Sequence, residues 1–195
     1  MLPTPSRTRT LTRALVGVLA PAAALVALTP APAHAATGDY RAVTTTAVTV
    51  RNAAGQVVFT CPMVNQLGTM YGMTSGVASV YLELTQGLDC PTFTGEKGAL
   101  YGNSGFGFGY INFTSTGYDA TTGVTKLIGN RAYSEGIIFS ATNCRINFNK
   151  FVATYNNRTQ IMKYTSATAE SGGCYTVLRT PQTVTFDAEF KLSPR

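Results

Sequence analysis

Two carboxylates near the end of the chain, Asp187 and Glu189, are the residues whose types and spacing come nearest to a catalytic pair. Two residues apart on a strand, they share one face with side chains about 6–7 Å apart. Paired carboxylates at that separation can serve glycoside hydrolysis, one as acid and one as base or nucleophile. Lys191 follows on the same face, so the plainer expectation is a solvated, charged row closed by a Lys191 salt bridge. The other acids, Asp39, Glu83, Asp89, Glu96, Asp119, Glu135 and Glu170, are isolated in sequence.

Other chemistries are closed by composition. The one histidine is His34, within a segment that reads as an export signal. Without it the chain has no Ser-His-Asp or Cys-His machinery and no imidazole ligand for zinc or copper. Cys61, Cys90, Cys144 and Cys174 are too widely spaced for a four-thiolate zinc site. An even count in an exported chain predicts two disulfides instead. Cys61–Cys90 and Cys144–Cys174 are the favoured pairs, since each closes a similar local loop, and no free thiol then remains as a nucleophile. No metal and no cofactor are expected. The Gly102–Tyr110 segment alternates glycine with aromatics. Phe106, Phe108 and Tyr110 form a candidate binding row for sugars or a partner, unless the rings face the core over their glycines. No Lys-Ser/Thr follows, so this is not a phosphate loop.

The elements that must position these residues are strands. Residues 1–35 carry Arg7, Arg9 and Arg13, then an apolar run from Ala14 to Leu28, then small residues at Ala33 and Ala35. That order predicts a cleaved secretory signal peptide. The run is too short for the roughly 20 residues of a membrane span. Residues 36–195 remain, as a single β-rich extracellular domain. Removing three arginines leaves twelve basic and nine acidic residues, a net charge of +3. The basic residues are scattered, which argues against nucleic acid. Charged residues make up 12 % of the chain, and 19 glycines and 9 prolines exclude a coiled coil.

Thr, Val, Tyr and Phe dominate, and period-two alternation recurs at Val77–Leu84, Phe106–Thr114 and most clearly at Thr183–Leu192. Tyr40–Val50 and Gln56–Cys61 read as strands, with a turn at Asn52–Gly55. Tyr118–Val124 reads as a hairpin loop with Gly123 at positive φ, and Asn156-Asn157-Arg158 as a second turn. Cys144, Ile146 and Phe148 share one parity, while Phe151, Ala153 and Tyr155 share the other. A β-bulge near Asn149-Lys150 would bring all six inward. The expected fold is all-β: a single β-sandwich or Greek-key-like β-barrel of about eight to ten antiparallel strands, with two disulfides.

Thr60-Cys61, Gly87-Leu88-Asp89-Cys90, Tyr118 to Thr125, Cys144, Tyr155 to Thr159, Gly173-Cys174, Thr185 to Phe190 and Ser193-Pro194 occur in this order. The pattern resembles an uncharacterised secreted, Cys-stapled β-rich family of actinobacteria. The resemblance covers nearly all of the exported part and implies export and a β fold. It implies no activity and no catalytic residues. A looser likeness to other Cys-stapled secreted β-domains, Ig-like ones included, concerns fold class alone.

Four functions follow as expectations. The first is a secreted non-enzymatic module binding cell wall, glycan or a secreted protein. The others are an extracellular protease inhibitor using Cys61-Pro62-Met63-Val64, a hydrolase using carboxylates only, and a membrane-active β-protein.

Overall fold

The computed structural model describes residues 37–71, 79–86, 89–102, 110–131, 137–142, 144–173 and 177–195. The described residues all belong to one compact unit, Ala31–Arg195. The expected signal peptide, residues 1–35, and with it His34, lies outside the described residues. So do Phe106, Phe108 and Cys174.

Among the described residues, thirteen strands form one antiparallel sheet that nearly closes into a barrel. They are β1 (Gly38–Thr44), β2 (Val48–Arg51), β3 (Val57–Cys61), β4 (Asn65–Tyr71), β5 (Ser79–Gln86), β6 (Cys90–Pro91) and β7 (Lys97–Gly102). Then come β8 (Tyr110–Asp119), β9 (Val124–Arg131), β10 (Ile137–Ala141), β11 (Cys144–Asn156), β12 (Ile161–Gly173) and β13 (Gln182–Pro194). The all-β antiparallel expectation holds, but the expected eight to ten strands are thirteen.

The extra strands come from one topological device. The last three strands are each 13 residues long, and they form a common wall, β11–β12–β13. Each outer strand of that wall has two successive partners on its free side. In β13, Thr185–Asp187 pair with β2, while Phe190–Pro194 pair with β1. In β11, Cys144–Phe148 pair with β10, while Phe151–Asn156 pair with β9. One arc of sheet, β1–β4–β5–β8–β9, therefore joins one half of the wall and completes a ring of eight strands. A second arc, β2–β3–β6–β7–β10, covers the other half. The chain passes repeatedly between the arcs, and each crossing cuts a strand short. The Val- and Thr-rich stretch Tyr40–Val50 is thus shared between β1 and β2, divided at Thr45–Ala47.

The second arc has a weak seam between β3 and β6. Its backbone contacts are a single bridge, Phe59 with Thr92, and a Phe93 N–H bond to the Val58 carbonyl at 3.3 Å. The Cys61–Cys90 disulfide lies across this seam. It is the one expected disulfide with both ends described; the expected Cys144–Cys174 bond ends outside the described residues.

Alternation fills the core. Val184, Phe186, Ala188, Phe190 and Leu192 of β13 are all buried, as their period predicts. The expected bulge in β11 is present. Lys150 adopts φ 51°, the register with β12 shifts between Asn149 and Val152, and Phe148 and Phe151 are both fully buried. Both rings meet Phe186 edge-on, Phe148 at 5.5 Å and Phe151 at 5.6 Å. From there the aromatic contacts run through Phe148 to Phe59, stacked on Phe139, and through Tyr164 to Phe190. One continuous aromatic core thus serves both arcs, each ring pair adding about 0.5–1.5 kcal/mol beyond its burial. Gly129 makes room for this packing, since a Cβ there would lie 2.5 Å from the Phe113 ring.

The hairpin ends also match expectation. Gly123 has φ 73° in the β8–β9 turn. Asp119 Oδ1 accepts the Thr121 N–H at 2.8 Å and Oδ2 accepts the Thr122 hydroxyl at 2.8 Å. These bonds, that from the Thr122 hydroxyl foremost, hold the Asp119 carboxyl below its ordinary pKa. In the β11–β12 turn, Asn156 Oδ1 accepts the Arg158 and Thr159 N–H groups.

Candidate functional site

The outward face of the long wall carries the expected carboxylate pair. Asp187 and Glu189 alternate with buried Phe186 and Ala188, so both point away from the core. Lys191 does not close the pair. Its Nζ donates to the Thr159 carbonyl at 2.6 Å. The partner of Glu189 is Lys163 of β12, directly opposite in register, at 2.7 Å. Thr45, in the β1–β2 crossing, donates its hydroxyl to Glu189 Oε1 at 3.1 Å. The bond from Lys163, aided by Thr45, holds the Glu189 carboxyl below its ordinary pKa, and Glu189 in turn raises that of Lys163.

The surface around the pair is hollowed by an irregularity in β12. Met162 and Tyr164 face inward, and so do Ala167 and Ala169. The parity changes between them, leaving Thr165 and Ser166 on the outside in succession. Tyr164 opposes Ala188 while Ser166 opposes Thr185, so Phe186 and Asp187 stand against Thr165 alone. The irregularity re-aims outward side chains, as bulges do. Here it leaves Asp187 with no cation directly opposite; Lys163, bonded to Glu189, feels the Asp187 charge only at longer range. Among the described residues, its carboxylate makes no hydrogen bond or ion pair. Neither does the Arg51 guanidinium, apart from a bond to the Gly55 carbonyl at 3.3 Å.

Two open hollows adjoin across the Lys163–Glu189 pair. One, of about 390 Å³, is lined by Thr46, Arg51, Thr165, Thr185, Asp187 and the ion pair itself. The other, of about 410 Å³, is lined by Thr154, Asn156, Thr159, Ile161 and the same ion pair. The resulting groove sets the hydroxyls of Thr46, Thr154, Thr159, Thr165 and Thr185 and the Asn156 amide among a larger share of apolar surface. Among the described residues, aromatic side chains reach it only from the buried Tyr164 and Phe186 beneath the first hollow.

The other sequence candidates fall elsewhere. Tyr110 opens β8, its side chain outside the described set, and its companions Phe106 and Phe108 are not described. In the Cys61–Val64 segment, Cys61 and Val64 are buried while Pro62 and Met63 are exposed, Met63 at 55 %. Val64 is fixed by mutual bonds with Thr44, its N–H to the Thr44 hydroxyl at 3.0 Å and its carbonyl to the Thr44 N–H at 3.1 Å. Among the described residues no cluster of His, Cys, Asp and Glu could hold a metal ion, and no helix is long and apolar enough to cross a membrane. Arg51, Thr165 and Lys163 were not foreseen as site residues. No sequence signal marked them, since the parity change in β12 falls among small residues of similar polarity and Arg51 meets Asp187 only through register.

No protein family, curated protein or solved structure matches the chain.

Proposed function

We propose that the protein is a secreted, non-enzymatic module that holds a polar chain of the cell envelope in the groove of the β11–β12–β13 wall. The observation that carries this reading is the groove itself: two adjoining hollows, hydroxyl-lined, open along a rigid sheet face. Export rests on residues 1–35 and on the disulfide, which persists in oxidising surroundings. A second disulfide, Cys144–Cys174, belongs to the same proposal. A hydrolytic acid must keep its proton near neutrality. Glu189 is drawn the other way by Lys163, so it does not serve as that acid.

Co-sedimentation with isolated cell walls and insoluble polysaccharides, at low and high salt, tests the reading. Retention is expected on one material, and it is expected to vanish in Thr185→Trp, whose ring fills the first hollow from an exposed position. Equal retention of the variant, or no retention of the parent, overturns it.

One observation favours a second reading, protease inhibition. Met63 projects beside the disulfide, in the run Pro62-Met63 between the anchored Cys61 and Val64. The exposed run is only two residues, a short contact for an extended protease cleft. Inhibition of a subtilisin-type protease that is abolished by Met63→Gly would establish it.

A further inference from the structure

We propose that the first hollow binds a short peptide with a free ammonium and a free carboxylate, the carboxylate at Arg51 and the ammonium at Asp187. This assignment rests on the groove being the binding surface and adds the class of ligand. Four charged side chains line the hollow. Lys163 and Glu189 neutralise one another at 2.7 Å. Arg51 and Asp187 are exposed, have opposite charge and form no ion pair among the described residues.

Register sets their spacing. Arg51 of β2 opposes Thr185 of β13, and Asp187 lies two residues further along β13 on the same outward face. Diagonal neighbours of this kind are about 7–8 Å apart. Two extended residues span about 7 Å, a length of the same order as the separation of the two backbone positions, and the long Arg51 stem adjusts the reach to the far end. The Thr185 hydroxyl lies in the same hollow, and the Thr165 hydroxyl, which donates to the Val152 carbonyl at 3.2 Å, keeps its acceptor side for a peptide N–H. A neutral sugar would leave both charges unanswered. A polymer of one sign would be repelled by one of them.

The experiment titrates the dipeptide Ala-Ala into isotope-labelled protein and follows backbone amide shifts. Saturable shifts are expected at Arg51, Thr165, Thr185 and Asp187. Blocking either end, as N-acetyl-Ala-Ala or Ala-Ala amide, should weaken binding about threefold to fivefold, the range of an exposed charge pair. Asp187→Asn should no longer distinguish Ala-Ala from its N-acetyl form, and Arg51→Gln should no longer distinguish it from the amide. Both positions are exposed, so neither change threatens the fold. No saturable shift, shifts mapping elsewhere, or equal binding of the blocked peptides overturns the assignment. If Ala-Ala fails while wall retention still depends on Thr185, the peptide assignment falls and the groove reading stands.

Discussion

Replacing Cys61 and Cys90 together by alanine tests whether the seam between β3 and β6 is held by its cross-link. The two cysteines are 29 residues apart. Closing a loop of that length removes about 12 cal/mol/K from the unfolded chain, or about 3.6 kcal/mol at 25 °C. Both side chains are fully buried, so lost packing adds to that figure. For a domain of this size each kcal/mol shifts Tm by roughly 2–4 °C. The expected drop is therefore about 7–14 °C. Urea unfolding of parent and variant without reductant measures the difference directly, and a reductant titration would not, since it would cut any second disulfide as well. Hydrogen exchange adds the location. The Phe93 amide, bonded to Val58 across the seam, should lose protection first, while Ala42 between β13 and β4 should keep it. A loss under about 1 kcal/mol, or protection lost equally on both arcs, would refute the reasoning.

Gly172 has φ 85°, and a side chain there would run into the Arg145 carbonyl. Gly172→Ala should cost at least about 2 kcal/mol, read by urea unfolding. Tyr164 donates to Gln66 Oε1 at 2.9 Å in the core, where Gln66 Nε2 has no partner. Tyr164→Phe alone should cost about 1–3 kcal/mol, and the pair Tyr164→Phe with Gln66→Leu should recover most of it; a strictly additive cycle would contradict this. The depressed Glu189 carboxyl contributes stability that is present above the unfolded-state value and is lost as pH falls through the folded one. Solvent screening keeps it under about 1 kcal/mol. Lys163→Met should flatten that acid limb of the stability–pH curve, and an unchanged limb would exclude the pair as its source.

The sequence showed most where side-chain contrast is large. Phe and Val against Asp and Lys made the alternation of β13 unmistakable. Phe148 and Phe151, three apart and both too apolar for solvent, placed the β11 bulge at the correct pair of residues. β12 offered no such contrast. Its outward Thr165 and Ser166 and its inward Ala167 and Ala169 differ little in polarity, so its change of parity was silent. The two-residue β6 is shorter than any period can reveal. The groove was hidden for another reason: Arg51, Lys163 and Asp187 are distant along the chain and meet only through register. Lys191 looked the better partner for Glu189 because it is near in sequence, but the cross-strand Lys163 is the one that reaches it.

The common wall also dictates the order in which the molecule can be completed. All three of its strands lie in the last third of the chain, from Cys144 to Pro194, yet β1 and β2, among the earliest elements, need β13 to satisfy one whole side of their backbones. As the polypeptide emerges from its N-terminal end, the arcs can form hairpins, but neither ring can shut until the final strand arrives. Such distant pairings slow folding, and strands waiting with open edges are prone to join the wrong partner. For a chain threaded unfolded through a membrane, that delay would be an asset: little of it can lock before the whole has crossed.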